Sequence, residues 1–143
     1  MAKFKLITVL TVATDREEKA RQELEKKVAE QAQADAQLQQ LMAYRDDYQN
    51  RQRSGKPMSP FEWQGYQDFL IRIQQAIDIQ THICDKAKKT SEAAKEHFFK
   101  QRRFLKGIEH LKDKHEKSEE KRLEKVEQKL LDEFSMTRFR LKE

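Results

Sequence analysis

Four histidines and one cysteine are the side chains of this sequence best equipped for chemistry, and their spacing decides what they can do. His82, His97, His110 and His115 are spread over 34 positions, and only the last two are close enough to consider as a metal pair. Five residues apart on a helix, they point about 140° away from each other. A pair on one helix needs a spacing of three or four, and no cysteine lies nearby to complete a site. Cys84, two residues after His82, resembles a nucleophile beside its base, but a cysteine in an apolar register position is better read as a small core residue. Ser54-Gly55-Lys56 resembles the end of a phosphate-binding loop. That loop requires glycine at position 50 and Ser or Thr at position 57, where this chain has Asn50 and Pro57. No catalytic residue, metal or cofactor is therefore expected.

The elements that carry these residues follow from composition. The chain has 143 residues, 36% hydrophobic and 38% charged, too little apolar content for a thick core. Only 3 Gly and 2 Pro are present, which excludes the frequent turns of sandwiches and barrels. Eight Phe, 3 Tyr and 1 Trp argue against disorder. What remains is a small number of long helices. A lone cysteine excludes an internal disulfide and suits a reducing cytosol. The apolar run Leu6 to Ala13 is interrupted by Thr8 and Thr11 and leads into Asp15-Arg16-Glu17-Glu18 without a small-residue cleavage site, so it is not read as a signal peptide. No segment approaches the roughly 20 apolar residues of a membrane span. The expectation is a soluble, cytoplasmic, all-α protein.

Both prolines and one glycine fall within Ser54-Gly55-Lys56-Pro57-Met58-Ser59-Pro60, the one strong break. It predicts a first helix over about 5–53, a turn at 54–59 and a second helix over about 60–140, forming a single domain. Ser59 can cap the second helix, Pro60 suits its first position, and Glu62 completes a capping box. From Tyr66, steps of four and three pass through Leu70, Ile73, Ile77, Gln80, Cys84, Ala87, Ser91, Ala94, Phe98, Gln101, Leu105 and Ile108, and ten of these thirteen positions are apolar. A stripe repeating every 3.5 residues marks a coiled-coil seam. The first helix carries a looser version through Leu10, Ala13, Ala20, Leu24, Val28, Ala34, Leu38, Leu41 and Tyr48, with Glu17, Gln31 and Arg45 also on the seam. A short turn makes the helices antiparallel, so residue i is expected opposite residue 112 minus i.

The second helix outruns the first. From about residue 109 it becomes an overhang, mostly charged, with Glu116, Glu120 and Glu124 running beside Lys117, Lys121, Lys125 and Lys129. Like charges four apart disfavour an isolated helix and favour a partner. If helical throughout, this arm extends about 120 Å. A two-helix rod offers no enclosed pocket in which to desolvate a reaction.

Two features could bind a partner. Lys86 to Lys106 holds eight basic and two acidic residues with Phe98, Phe99 and Phe104 interleaved, but Phe98 belongs to the seam and the cations point around the helix, so a solvated face is preferred to nucleic-acid binding. Near the turn, Leu38, Leu41, Met42, Tyr44 and Tyr48 on one arm and Phe61, Trp63, Tyr66, Phe69, Leu70, Ile73, Ala76 and Ile77 on the other exceed what two helices can bury between them. Gln37, Leu41, Tyr44 and Tyr48 form a helical stripe set slightly off the seam, as do Phe69, Ile73, Ala76 and Gln80. Either these rings widen the hairpin core, or they form an exposed patch that docks another protein.

In these same residues the chain resembles the flagellar FliJ family of type III export coiled coils. The resemblance lies in Leu41-Met42-Ala43-Tyr44-Arg45-Asp46-Asp47-Tyr48, in Trp63 followed by Tyr66-Gln67-Asp68-Phe69, in Gln75-Ala76-Ile77 and in Leu131-Asp132-Glu133-Phe134. It implies an antiparallel two-helix coiled-coil hairpin with a longer second helix overhanging at the C-terminus, similar to the central stalk of rotary ATPases. It further implies three partners: the export ATPase hexamer, the cytoplasmic domain of the membrane export gate, and substrate-specific export chaperones. By the same resemblance, Gln37, Leu41, Tyr44, Tyr48, Phe69, Ile73, Ala76 and Gln80 would face the gate, Gln80 standing where other members can have histidine. Leu10, Leu130, Asp132, Glu133 and Phe134 would belong to the end that enters the ATPase ring. The protein would then be non-enzymatic and peripheral to the membrane through protein contacts alone. The stalk of a virulence injectisome and a nucleic-acid-binding hairpin are the alternatives.

Overall fold

The computed structural model describes residues 2–142. Two α-helices make up nearly all of it: α1, Ala2–Arg53, and α2, Pro60–Lys142. They pack against each other as an antiparallel hairpin with the second helix the longer, and no strand occurs among the described residues.

The helices stop and start where the residues at the turn dictate. Lys56 precedes Pro57, whose ring disfavours a helical conformation in the residue before it. The last carbonyls of α1 are satisfied locally: the Ser54 amide donates to Asn50 O at 3.2 Å, its hydroxyl donates to the same oxygen at 3.1 Å, and the Gly55 amide donates to Gln52 O at 3.4 Å. Arg51 and Arg53 lie against the negative end of the helix dipole. Gly55 has no positive φ; a Cβ there would sit 3.2 Å from Arg51 O, so the glycine allows a close backbone approach rather than an unusual conformation. At the restart, the Glu62 amide donates to Ser59 Oγ at 3.2 Å and the Ser59 amide donates to Glu62 Oε2 at 3.4 Å. This is the reciprocal capping box that the sequence predicts.

Two units divide the chain. One is Lys19–Phe99, which contains the turn; the other joins Met1–Glu18 to Lys100–Glu143. In the turn unit the core is the α2 stripe Ile73, Ile77, Gln80, Cys84, Ser91 and Phe98 against Ala20 and Ala34 of α1. In the terminal unit Ala13 and Leu105 are the buried apolar residues, with Leu10, Glu17, Gln101 and Ile108 half-buried around them. All thirteen α2 positions from Tyr66 to Ile108 predicted for the seam are buried or half-buried.

Two details of the packing differ from expectation. Val28 is 49% exposed, and Lys27 takes the seam position instead. Three residues on from Leu24, Lys27 keeps the strict alternation of three and four, with its aliphatic stem lying along the seam while the ammonium reaches Glu30 at 3.4 Å and Glu23 at 3.7 Å. The facing pairs also sit farther along α2 than the simple reflection puts them: Tyr48, expected opposite residue 64, stacks on Tyr66 and packs at a tilt against Phe69. Side chains lean toward the N-terminus of their own helix, and in an antiparallel pair this lean displaces both partners toward higher combined numbers.

Candidate functional site

The residues around the turn converge because α1 ends and α2 begins within a few positions of each other, bringing two aromatic stripes face to face. Four rings form a chain of contacts across the helices. Tyr44 meets Phe69 edge-on at 5.7 Å, Phe69 meets Tyr48 at 4.1 Å, and Tyr48 stacks on Tyr66 at 5.4 Å. Trp63 continues the chain at 5.7 Å from Tyr66. The burial of these rings is unequal. Tyr48, Tyr66 and Phe69 are half-buried, whereas Tyr44 is 57% and Trp63 53% exposed. The inner rings hold the helices together, and the outer rings offer amphipathic surface.

Beside the rings, the two glutamines of the predicted stripe meet. Gln80 is buried, and its Nε2 donates to Ala34 O at 3.0 Å and to Gln37 Oε1 at 3.3 Å. This fixes the Gln80 amide and leaves Gln37 at the rim of an open depression of about 480 Å³ lined by Gln37, Gln40, Leu41, Tyr44 and Gln80. Arg45 adds a polar clamp, donating from Nη1 to Gln74 Oε1 at 3.2 Å and from Nε to Asp46 Oδ1 at 3.2 Å. Gln37, Leu41, Tyr44 and Gln80 therefore share one concavity. Ile73 and Ala76 do not line it: Ile73 is a core residue, only 6% exposed, and Ala76 is half-buried. A depression that combines glutamine amides, one of them fixed, with Leu41 and an exposed tyrosine ring is suited to receiving a side chain of another protein.

The turn itself forms a second cleft that composition alone gave no reason to single out. It is open, about 730 Å³, and lined by Pro57, Met58, Pro60, Trp63 and Tyr66 with Arg53 and Lys56 at its margin. The signal was present in the sequence as Met58 between two prolines, but the turn chemistry of that segment masked it.

Cys84 is buried one helical turn beyond Gln80. Burial raises its thiol above the usual value, and the neighbouring Asp35 carboxylate raises it further. A thiol so held is protonated and inert at neutral pH, which fits a core residue and not a nucleophile. Among the described residues no three His, Cys, Asp or Glu side chains gather as a metal site, and no helix is long and apolar enough to cross a membrane.

The residues assigned to the opposite end are separated along the chain. Leu10 is half-buried on the α1 seam. Leu130 is 60% and Phe134 66% exposed, in a stretch of α2 where every described side chain from residue 120 onward is exposed. Asp132 accepts a hydrogen bond from Gln128 Nε2 at 3.2 Å, and the Glu133 carbonyl accepts one from Thr137 at 2.9 Å. Both are contacts within one helix and position no partner.

In comparison with known families, the model of the flagellar FliJ protein matches residues 2–143 of the chain. No curated protein matches it.

Proposed function

The chain belongs to the FliJ family and is a component of the flagellar export apparatus, and from that premise we propose that it is a coupling element that docks on the cytoplasmic domain of the membrane export gate through the aromatic face beside its turn. Its family is a non-catalytic one, and the proposed role needs no chemistry from this chain. The observation that carries the reading is the exposed Tyr44 ring at the rim of the depression shared by Gln37, Leu41 and Gln80. Phe69, itself packed on Tyr48, contacts that ring edge-on, so it is pre-ordered and loses little freedom on binding. Tyr48, Phe69, Ile73 and Ala76 support the face more than they touch the gate.

The same reading gives the terminal unit to the export ATPase hexamer, with Leu10, Leu130, Asp132, Glu133 and Phe134 as its contacts, and lets substrate chaperones visit between the two engagements. Charges along the helices would set register and speed of encounter, while apolar burial at Tyr44 supplies affinity. The flagellar family match favours this system over an injectisome. The test is a pull-down from a flagellated-cell extract with the intact chain and with Tyr44→Ala. The intact chain is expected to retain both the gate and the ATPase, and the variant to retain the ATPase alone. Equal recovery of the gate by both would overturn the assignment.

A further inference from the structure

On the gate reading above, from which this follows, we infer that Ile79 and Ile83 are further contacts of the export gate, and that the segment of the gate received there is uncharged and apolar. At about 100° per residue, Phe69, Ala76 and Ile83 fall within about 40° of one line along α2, with Ile79 about 40° beyond Ile83. Phe69 meets Tyr44 at 5.7 Å, so this line lies on the flank of the hairpin that carries Tyr44. Gln80, next to Ile79 in the chain and one turn before Ile83, donates to Gln37 across the helices at 3.3 Å. Along the line, half-burial at Phe69 and Ala76 gives way to exposure: Ile79 is 63% and Ile83 48% exposed. Two isoleucines one turn apart therefore stand in solvent beside the depression. They lie about 15 and 21 Å along α2 from Phe69, so the docking face runs well past Tyr44.

Charge decides what this flank can receive. Asp, Glu, Lys and Arg make up 38% of the chain, yet residues 31–46 of α1 hold only Asp35, Arg45 and Asp46, and residues 73–85 of α2 only Asp78 and Asp85. None of the five belongs to the flank. Asp35 and Asp46 lie about 160–180° round α1 from Gln37, and Asp78 and Asp85 about 160–180° round α2 from Ala76. Arg45 is turned to the far side as well, where it donates to Gln74 and Asp46. What remains, between Glu30 and Lys86 at one end and Asp47 and Arg72 at the other, is a surface of glutamine amides, the Tyr44 ring and the two isoleucines. Loss of charge marks the centre of a protein interface. A surface without cations has nothing to hold a phosphate, so neither a nucleic acid nor a lipid headgroup is selected. Continuity with the Tyr44 depression gives the surface to the partner that covers Tyr44. Ile71 supplies the contrast: it is 56% exposed but lies about 140° from Ala76, in line with Asp78 on the charged flank.

The test is a titration of the gate's isolated cytoplasmic domain with the full chain and with the double variant Ile79→Ala, Ile83→Ala. The double variant should bind about tenfold more weakly, while Ile71→Ala binds as the intact chain does. Both isoleucines are exposed and alanine is the better helix former, so circular dichroism should show the helices retained. An uncharged contact also predicts a dissociation rate that stays the same from about 0.05 to about 0.5 M salt, whatever salt does to the rate of encounter. Unchanged affinity of the double variant, an equal loss from Ile71→Ala, or dissociation that quickens severalfold with salt would overturn the inference. So would a double variant that binds the gate normally but self-associates less on sedimentation, since that gives the isoleucines to a second copy. Tyr44→Ala separates this result from the gate reading: if it alone weakens binding, the gate reading stands and the isoleucines are not contacts, whereas an intact chain that does not bind the domain overturns both.

Discussion

Removing the inner ring of the turn cluster should cost far more stability than removing the outer one. Tyr48 is half-buried and contacts two rings, Phe69 at 4.1 Å and Tyr66 at 5.4 Å. At about 0.5–1.5 kcal/mol per aromatic pair, plus about 1 kcal/mol for half-burying the ring, Tyr48→Ala should cost about 2–4 kcal/mol. Tyr44 has one edge-on contact, at 5.7 Å, and is 57% exposed. Tyr44→Ala therefore forfeits one such pair and little burial, about 1 kcal/mol. The assay is urea denaturation followed both by far-ultraviolet ellipticity and by the fluorescence of Trp63, the chain's one tryptophan, whose ring lies 5.7 Å from Tyr66. Coincidence of the two transitions tests whether the helices and the turn unfold together. If Tyr44→Ala proves as costly as Tyr48→Ala, the outer ring belongs to the core and the division of roles at this site is wrong.

Other consequences follow from single contacts. Lys27→Leu places an apolar side chain on the seam in register and gives up only exposed pairs with Glu23 and Glu30, so it should raise stability by about 1 kcal/mol in the same urea assay. Ser59→Ala removes the acceptor for the Glu62 amide and should cost about 1 kcal/mol, with Ser59→Asp retaining most of the stability. For Cys84 the folded thiol titrates above its unfolded value of 9.0, so the native state holds its proton longer. Stability is therefore full below that value and falls as pH rises through the folded pKa, and thermal melts of Cys84→Ala should show a shallower alkaline decline.

How much of this was legible in the sequence depended on whether one residue type could do the job at each position. The capping box of Ser59 and Glu62 was legible because few side chains can accept from the N3 amide while the N3 carboxylate reaches back. The α2 seam was legible because apolar residues occupy most of its positions. The α1 seam was legible at every expected position but one: Lys27 sits where a stem suffices, and its apolar neighbour, Val28, is exposed. The aromatic cluster was visible as a composition, but its division into inner and outer rings depends on how each helix is rotated about its axis. Only the contacts of Tyr48 and Phe69, and the burial of Ile73, reveal that rotation. The turn cleft around Met58 was hidden because Pro57 and Pro60 are read first as breakers.

The most direct measurement is a calorimetric titration of the gate's isolated cytoplasmic domain with the intact chain and with Tyr44→Ala at matched helicity. Docking through the exposed ring predicts an affinity loss of about tenfold or more for the variant. Equal affinities would contradict it.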